Sequence, residues 1–179
     1  SKIEVIYNWA DESALRMPAG TLPPNFPGAD RFKIVFAGNM GKAQALDTVL
    51  DAAIILKQQS SRVTFVMLGG GVEMARLSAK ANELALDNVL FLPPVPMTEV
   101  GTILAAADAL LVHLRKDPLF EITIPSKTQA YMAVGKPLLM AVNGDAADLV
   151  QNSNSGLTVE SENAAALAQA AQQFADIPR

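Results

Sequence analysis

The chain has 179 residues, of which half are hydrophobic and 18% charged, with a mean hydropathy of +0.23; this is enough apolar material for the core of one domain and excludes a disordered chain. With no cysteine and a single histidine, disulfides, thiolate metal sites, a cysteine nucleophile and a poly-histidine metal centre are all excluded. The net charge of −4 and pI near 4.9 argue against nucleic-acid binding, which demands a basic face.

No uninterrupted apolar run approaches the roughly 18–20 residues of a membrane span. The opening Ser1-Lys2-Ile3-Glu4 is expected to carry no signal peptide, which predicts a soluble protein of a reducing compartment. Residues 2–7 alternate like a short strand. Residues 8–31 hold Pro18, Pro23, Pro24 and Pro27, too many for a helix or central strand, and are predicted to be loop or linker. From residue 32 the pattern becomes regular. Strands are predicted at 33–37, 62–68, 88–92, 108–114, 138–142 and Gly156–Val159, each a short apolar run bounded by glycine, proline or polar residues. Helices are predicted at 43–59, 73–84, 98–106, Ser126–Val134, 145–150 and 163–174. The first of these has Leu46, Val49, Leu50, Ala53 and Ile54 at spacings of three and four, one apolar stripe.

Strands alternating with helices imply βαβ units and a parallel sheet. Continuously apolar strands imply helices on both faces. The expected fold is a doubly wound, mostly parallel α/β sheet, a Rossmann-like single domain. In such sheets ligands bind beyond the carboxyl ends of the strands, which directs attention to the loops at 38–44, 69–73, 93–97, 114–127 and 143–146.

Gly38-Asn39-Met40-Gly41-Lys42 is either a tight turn with a surface lysine or an anion cradle at a helix start. It matches neither a P-loop nor G-x-G-x-x-G. Gly69-Gly70-Gly71 is either a tight turn or a point of close approach to a nucleoside, and position 74 is Met74 rather than a third glycine. Pro93, Pro94 and Pro96 form a rigid wall that either ends a strand or flanks a base. Ser126 is expected to cap the helix that runs to Gly135. Lys127 would then lie in its first turn, against the macrodipole, an arrangement that makes sense if an anion sits between them. Together with Lys42 it would make one positive patch on an acidic body. Asp117 and Glu121 either bond sugar hydroxyls or stand in a solvated loop. His113 is either a satisfied core histidine or a donor to an oxyanion.

The succession FAGNMG, LGGG, FLPPVP, AAADALLVHL and IPSKTQAYMAVGKPLLMAVNGDAADLVQNSNSGL resembles the C-terminal, donor-binding domain of group 1 retaining glycosyltransferases of the GT-B fold. Within that group it is similar to bacterial O-antigen and capsule enzymes such as N-acetyl-L-fucosamine transferases. The resemblance implies residues 1–31 as an interdomain linker and leading strand, residues 32–179 as the nucleotide-sugar-binding domain, and an N-terminal acceptor domain outside this chain. It implies a UDP-sugar as donor, bacterial surface polysaccharide assembly as the setting, and a cytoplasmic site with at most peripheral membrane contact through the other half. The chain alone is expected to be inactive, with no metal and no cofactor.

By the same resemblance, Gly41 and Lys42 approach the diphosphate, and Pro94 and Val95 border the base. Ser126, Lys127 and Thr128 take phosphate oxygens, and Glu121 sits beside the sugar. Gly38, Asn39, Gly70 and Pro125 complete the donor surface. Glu121 and Lys127 are the residues expected to carry the reaction. The family's ribose-binding glutamate falls on Ala130, with Gln129 beside it as a replacement; its other glutamate survives as Glu121, one residue out of register. Two other classes fit the residues: a nicotinamide-dependent oxidoreductase domain, and a non-enzymatic interaction module whose strand-end crevice is filled by side chains.

Overall fold

The computed structural model describes residues 20–178, so the strand expected at 2–7 lies outside the described residues. Among the described residues are six strands and seven α-helices: β1 (Phe32–Ala37), α1 (Asp47–Gln58), β2 (Val63–Leu68), α2 (Met74–Glu83), β3 (Val89–Leu92), α3 (Met97–Ala105), β4 (Ala109–His113), α4 (Pro118–Glu121), α5 (Ser126–Val134), β5 (Leu138–Ala141), α6 (Asp145–Asn152), β6 (Gly156–Val159) and α7 (Ala164–Asp176). The sheet is parallel in every pair, in the order β3-β2-β1-β4-β5-β6. That is the doubly wound order.

The strand alternation builds two cores. Ile34, Phe36, Phe65 and Met67 face α1, α2 and α7, where Leu50, Leu77 and Leu167 meet them. Val35, Val66, Leu110 and Met140 face α3, α5 and α6, where Leu104, Tyr131 and Val150 meet them. A buried charge at the sheet's amino edge is neutralised locally: the Lys33 ammonium lies 3.0 Å from Asp108, and the same carboxylate accepts the Lys33 amide at 2.8 Å. Residues 20–31 carry no helix or strand, as the prolines require, and Phe26 packs onto the second core.

Strand order reverses between β1 and β4, and there the sheet forks. β1 runs with β2 over its full length, from Phe32↔Val63 to Ala37↔Leu68, but pairs with β4 only at Ile34↔Ala109 and Val35↔Leu110. Ala37 projects its amide and carbonyl toward the side that β4 has left. Tyr131 of α5 fills the vacancy. Its hydroxyl accepts from the Ala37 amide at 2.8 Å and donates to the Ala37 carbonyl at 3.2 Å. Burial pushes this phenol well above its usual range, so it stays neutral. Helix α5 is thereby pinned over the carboxyl end of β1.

Three local features differ from expectation. The helix expected over 43–59 starts at Asp47; before it come a 3-10 turn at Lys42–Gln44 and Ala45 in the left-handed region at φ 44°. Tertiary bonds hold that turn: the Arg115 amide donates to the Ala43 carbonyl, and His113 bonds the Gln44 carbonyl. Ser126 is not the cap of α5. Pro125, extended at φ −59° and ψ 135°, occupies that position, and Ser126 is the first helical residue. The loop after β4 contains the short helix α4, capped by Asp117, whose side chain accepts from the Leu119 amide. Asp117 also pairs with Arg115 at 2.7 Å. Its oxygens are committed to the loop itself, which leaves the sugar-bonding alternative without support.

Candidate functional site

The fork opens a cavity of about 460 Å³ at the carboxyl edge, lined by the β1, β2 and β3 loops on one side and by α3 and α5 on the other. Its floor is set by how two glycine loops interlock. The Gly38 amide donates to the Leu68 carbonyl, the Met40 amide to the Gly70 carbonyl, and the Glu73 amide to the Met40 carbonyl. Side chains cannot fit between them. At Gly69, with φ +131°, a Cβ would stand 2.1 Å from the Gly38 carbonyl oxygen; at Gly71, with φ +137°, it would stand 2.5 Å from the Met40 carbonyl oxygen. Gly69 and Gly71 are therefore required by loop packing, while Gly69 and Gly70, the latter against Pro94, also line the cavity.

The cavity has one charged feature. Lys127, the second residue of α5, lays its ammonium 3.9 Å from the centroid of the Phe36 ring and 3.3 Å from where a Gly38 Cβ would be. No carboxylate pairs with it among the described residues, and burial pulls its pKa down to about 8. A desolvated cation with only an aromatic face beside it is an unfavourable arrangement for the empty protein. At the same end, the amides of Ser126 and Lys127 have no acceptor within the helix. The remaining wall is apolar: Leu68, Pro94, Val95, Met97, Val100 and Leu104.

Of the residues singled out from the sequence, Gly38, Asn39, Gly70, Pro94, Val95 and Lys127 come together in this cavity. Lys42 does not join them. With Gly41 it lines a separate cavity of about 300 Å³ among Asp47, Glu73, Arg76 and Glu162, where Arg76 bridges Asp47 and Glu73 at 2.6 Å each. Lys42 and Lys127, expected around one anion, thus line different cavities. Thr128, expected as a phosphate ligand, points inward. Its hydroxyl is fully buried and its amide donates to the Pro125 carbonyl at 2.8 Å. Pro125 caps α5, and Ser126 and Gln129 lie in its first turn; none of the three lines the cavity. Glu121 lies at the end of α4 outside the cavity lining, and its carbonyl oxygen would stand 2.0 Å from a Cβ at Gly144.

Sequence reasoning missed Tyr131 and the α3 wall of Met97, Val100 and Leu104. Tyr131 follows Lys127 by one helical turn, which places both on one face; that spacing was the available signal. His113 resolves into a positioning group. It is fully buried, with Nδ1 2.7 Å from the Gln44 carbonyl and Nε2 without a partner. Burial lowers its pKa to about 4, so it is neutral at pH 7 and its Nδ1–H donates. Among the described residues no group of three or more His, Asp or Glu side chains converges on a metal position, and no helix is long and apolar enough to cross a membrane.

A doubly wound parallel sheet with a cavity and a buried lysine at its topological switch point defines a Rossmann-like α/β domain. Residues 31–176 match the family model "Glycosyl transferases group 1", and the chain belongs to that family. It is 29% identical over 139 residues to "Probable glycosyltransferase WbjE" of Pseudomonas aeruginosa, covering 75% of this chain and 34% of that protein. The chain thus spans about a third of the length of this curated relative. Among solved structures it is similar in fold to WaaG, a glycosyltransferase involved in lipopolysaccharide biosynthesis (TM-score 0.67, 20% identity, 83% of this chain and 39% of that one). It is also similar to Anabaena Alr3699/HepE in complex with UDP and glucose (TM-score 0.66, 22% identity, 83% and 40%). The family assignment removes the oxidoreductase alternative, and the open cavity removes the filled crevice expected of a pure interaction module.

Proposed function

We propose that this chain is the nucleotide-sugar-binding domain of a retaining glycosyltransferase of bacterial surface polysaccharide assembly, working on a UDP-sugar in the cytoplasm. Residues 1–31 serve as the linker and residues 32–179 as the donor domain, and the acceptor is carried by an N-terminal domain outside this chain. Alone, the chain binds donor and transfers nothing.

The observation that carries this reading is Lys127. Its ammonium is desolvated, unpaired by any described carboxylate, and set beside the free leading amides of α5 at the mouth of an apolar cavity. A nucleoside diphosphate supplies what each part lacks. The planar base lies against Pro94, Val95 and Met97, and the diphosphate neutralises Lys127. As the glycosidic bond breaks, the leaving diphosphate gains negative charge, and fixed amides plus a buried ammonium stabilise that charge without reorganisation. This arrangement asks for no metal. Glu121, outside the cavity lining, would act from the sugar side once the two domains close. The solved relative bound to UDP and glucose supports the choice of UDP.

The test is a titration of the chain with UDP followed by amide chemical shifts. Shifts are expected at Gly38, Asn39, Gly70, Val95 and Lys127. No movement of these resonances at millimolar UDP would overturn the reading.

A further inference from the structure

We infer that Lys127 is a covalent modification site: its amine takes an acyl group from small acyl phosphates, and the amide so formed closes the cavity to anions. The second half rests on the nucleotide reading of the same cavity; the first half stands without it.

Three observations single out this amine. It is reached from open space, because Lys127 lines the cavity of about 460 Å³. One flank of its nitrogen is bare backbone, since a Cβ at Gly38 would stand 3.3 Å away and glycine has none. It also lacks a counter-ion. Lys33 pairs with Asp108, Lys57 with Asp87, Lys80 with Asp47 and Lys116 with Glu160, whereas the Lys127 ammonium rests on the Phe36 ring. Among the lining residues only Lys127 and Tyr131 titrate, and the Tyr131 hydroxyl is held by both backbone groups of Ala37.

Acylation requires the neutral amine. Desolvation brings Lys127 from an ordinary 10.5 down to about 8. At pH 8 about half of it is then neutral, against about one in 300 of a lysine at the ordinary value. A less basic nitrogen is also a weaker nucleophile, as with thiols, so an advantage of about tenfold should remain. The donors nearby favour an electrophile that carries phosphate. The Asn39 side chain and the Gly70 amide share the lining, and the amides of Ser126 and Lys127 lead α5; these hold phosphate oxygens while the nitrogen is neutral.

In the step itself, the lone pair of Nζ attacks the acyl carbon and a C–N bond forms. The bond from that carbon to the phosphate oxygen breaks, inorganic phosphate leaves with the electron pair, and the nitrogen gives a proton to water. The product is a neutral amide, and the cavity loses its one cation.

The experiment incubates the 179-residue chain with acetyl phosphate from pH 7 to 9.5 and follows each lysine by peptide mass spectrometry. At pH 8 Lys127 should be acetylated about tenfold faster than Lys57 and Lys116, and its rate should level off by about pH 9. Inorganic phosphate and UDP should slow Lys127 and leave the other two unchanged. The acetylated chain should no longer show the amide shifts that UDP causes. If Lys127 reacts no faster than Lys57 and Lys116, the inference is overturned, while the nucleotide reading still stands on the UDP shift titration. Equal selectivity with the N-hydroxysuccinimide ester of acetic acid, without competition by inorganic phosphate, overturns the assignment to acyl phosphates. If Lys127 is acetylated selectively but UDP neither protects it nor moves the site resonances, the acylation stands and the nucleotide reading falls.

Discussion

The hydroxyl of Tyr131 holds both the amide and the carbonyl of Ala37, at 2.8 and 3.2 Å. One side chain thus replaces the ladder bonds that β4 no longer supplies at the fork, and it fixes the helix that carries Lys127 against the strand that ends in Gly38. Tyr131→Phe leaves a buried amide and carbonyl unpaired, and a loss of about 1–3 kcal/mol is expected. Urea unfolding checks it. UDP affinity should fall as well, because α5 loses its anchor.

Lys127→Met should separate stability from binding. Methionine keeps the apolar stem over Phe36 and removes a desolvated charge, so the melting temperature should hold or rise. UDP binding should weaken by about 10–100-fold, the worth of a charge-assisted contact. A less stable variant that binds UDP normally would contradict both halves.

Binding should depend on pH through the same residue. In the empty protein Lys127 has its pKa pulled down to about 8 by burial, and the bound diphosphate favours the charged form. Above pH 8 binding must take up a proton, and affinity should fall about tenfold per pH unit. Titrations from pH 7 to 9.5 should show this slope, and Lys127→Met should abolish it. The sign for stability is opposite. The unfolded lysine keeps its proton to about 10.5, so the unfolded state binds more protons between pH 8 and 10.5, and the Lys127 contribution to stability rises with pH across that window.

His113 governs the acid side. Its folded pKa is lowered to about 4 from an ordinary 6.5, burial being the main cause. The stability it permits is fully present above 6.5. It is lost as pH falls toward 4, where the unfolded state takes up the proton first, at up to about 1.4 kcal/mol per pH unit. His113→Leu should flatten this part of the acid limb. At pH 7 it should cost about 1 kcal/mol through the Gln44 carbonyl left without its donor. Denaturant melts at pH 7, 6 and 5 on both proteins measure the difference.

Gly69→Ala should be among the most damaging small substitutions, costing more than about 4 kcal/mol. The new Cβ would meet the Gly38 carbonyl oxygen at 2.1 Å, at φ +131°. Gly135→Ala offers the control: its φ is +73°, but nothing lies within 4 Å of the added atom, so only the left-handed strain of about 1–2 kcal/mol applies.

The element order, the parallel sheet and the cavity edge were legible because they rest on short-range periodicity. Continuous runs such as Val63–Leu68 mark strands covered on both faces, and the stripe through Leu46, Val49, Leu50 and Ala53 marks the buried side of α1. What periodicity cannot carry is the direction of a side chain at a loop. Lys42 and Lys127 look equivalent in sequence, each at a predicted helix start, one directly after a glycine and the other two residues after a proline. Bonds from Arg115 and His113, distant in sequence, hold the turn that carries Lys42, which lines a cavity with Glu73 and Glu162 instead.

From its sequence alone the chain determined a doubly wound fold and the strand ends at which such sheets bind their ligands, since apolar spacing and glycine placement are properties of the chain read locally. Tertiary structure alone decided which cation faces the cavity, why Thr128 does not, and that Tyr131 stands in for a missing strand. Each of these turns on desolvation or on the pairing of backbone groups, and both depend on which distant residues the fold brings to the same few ångströms.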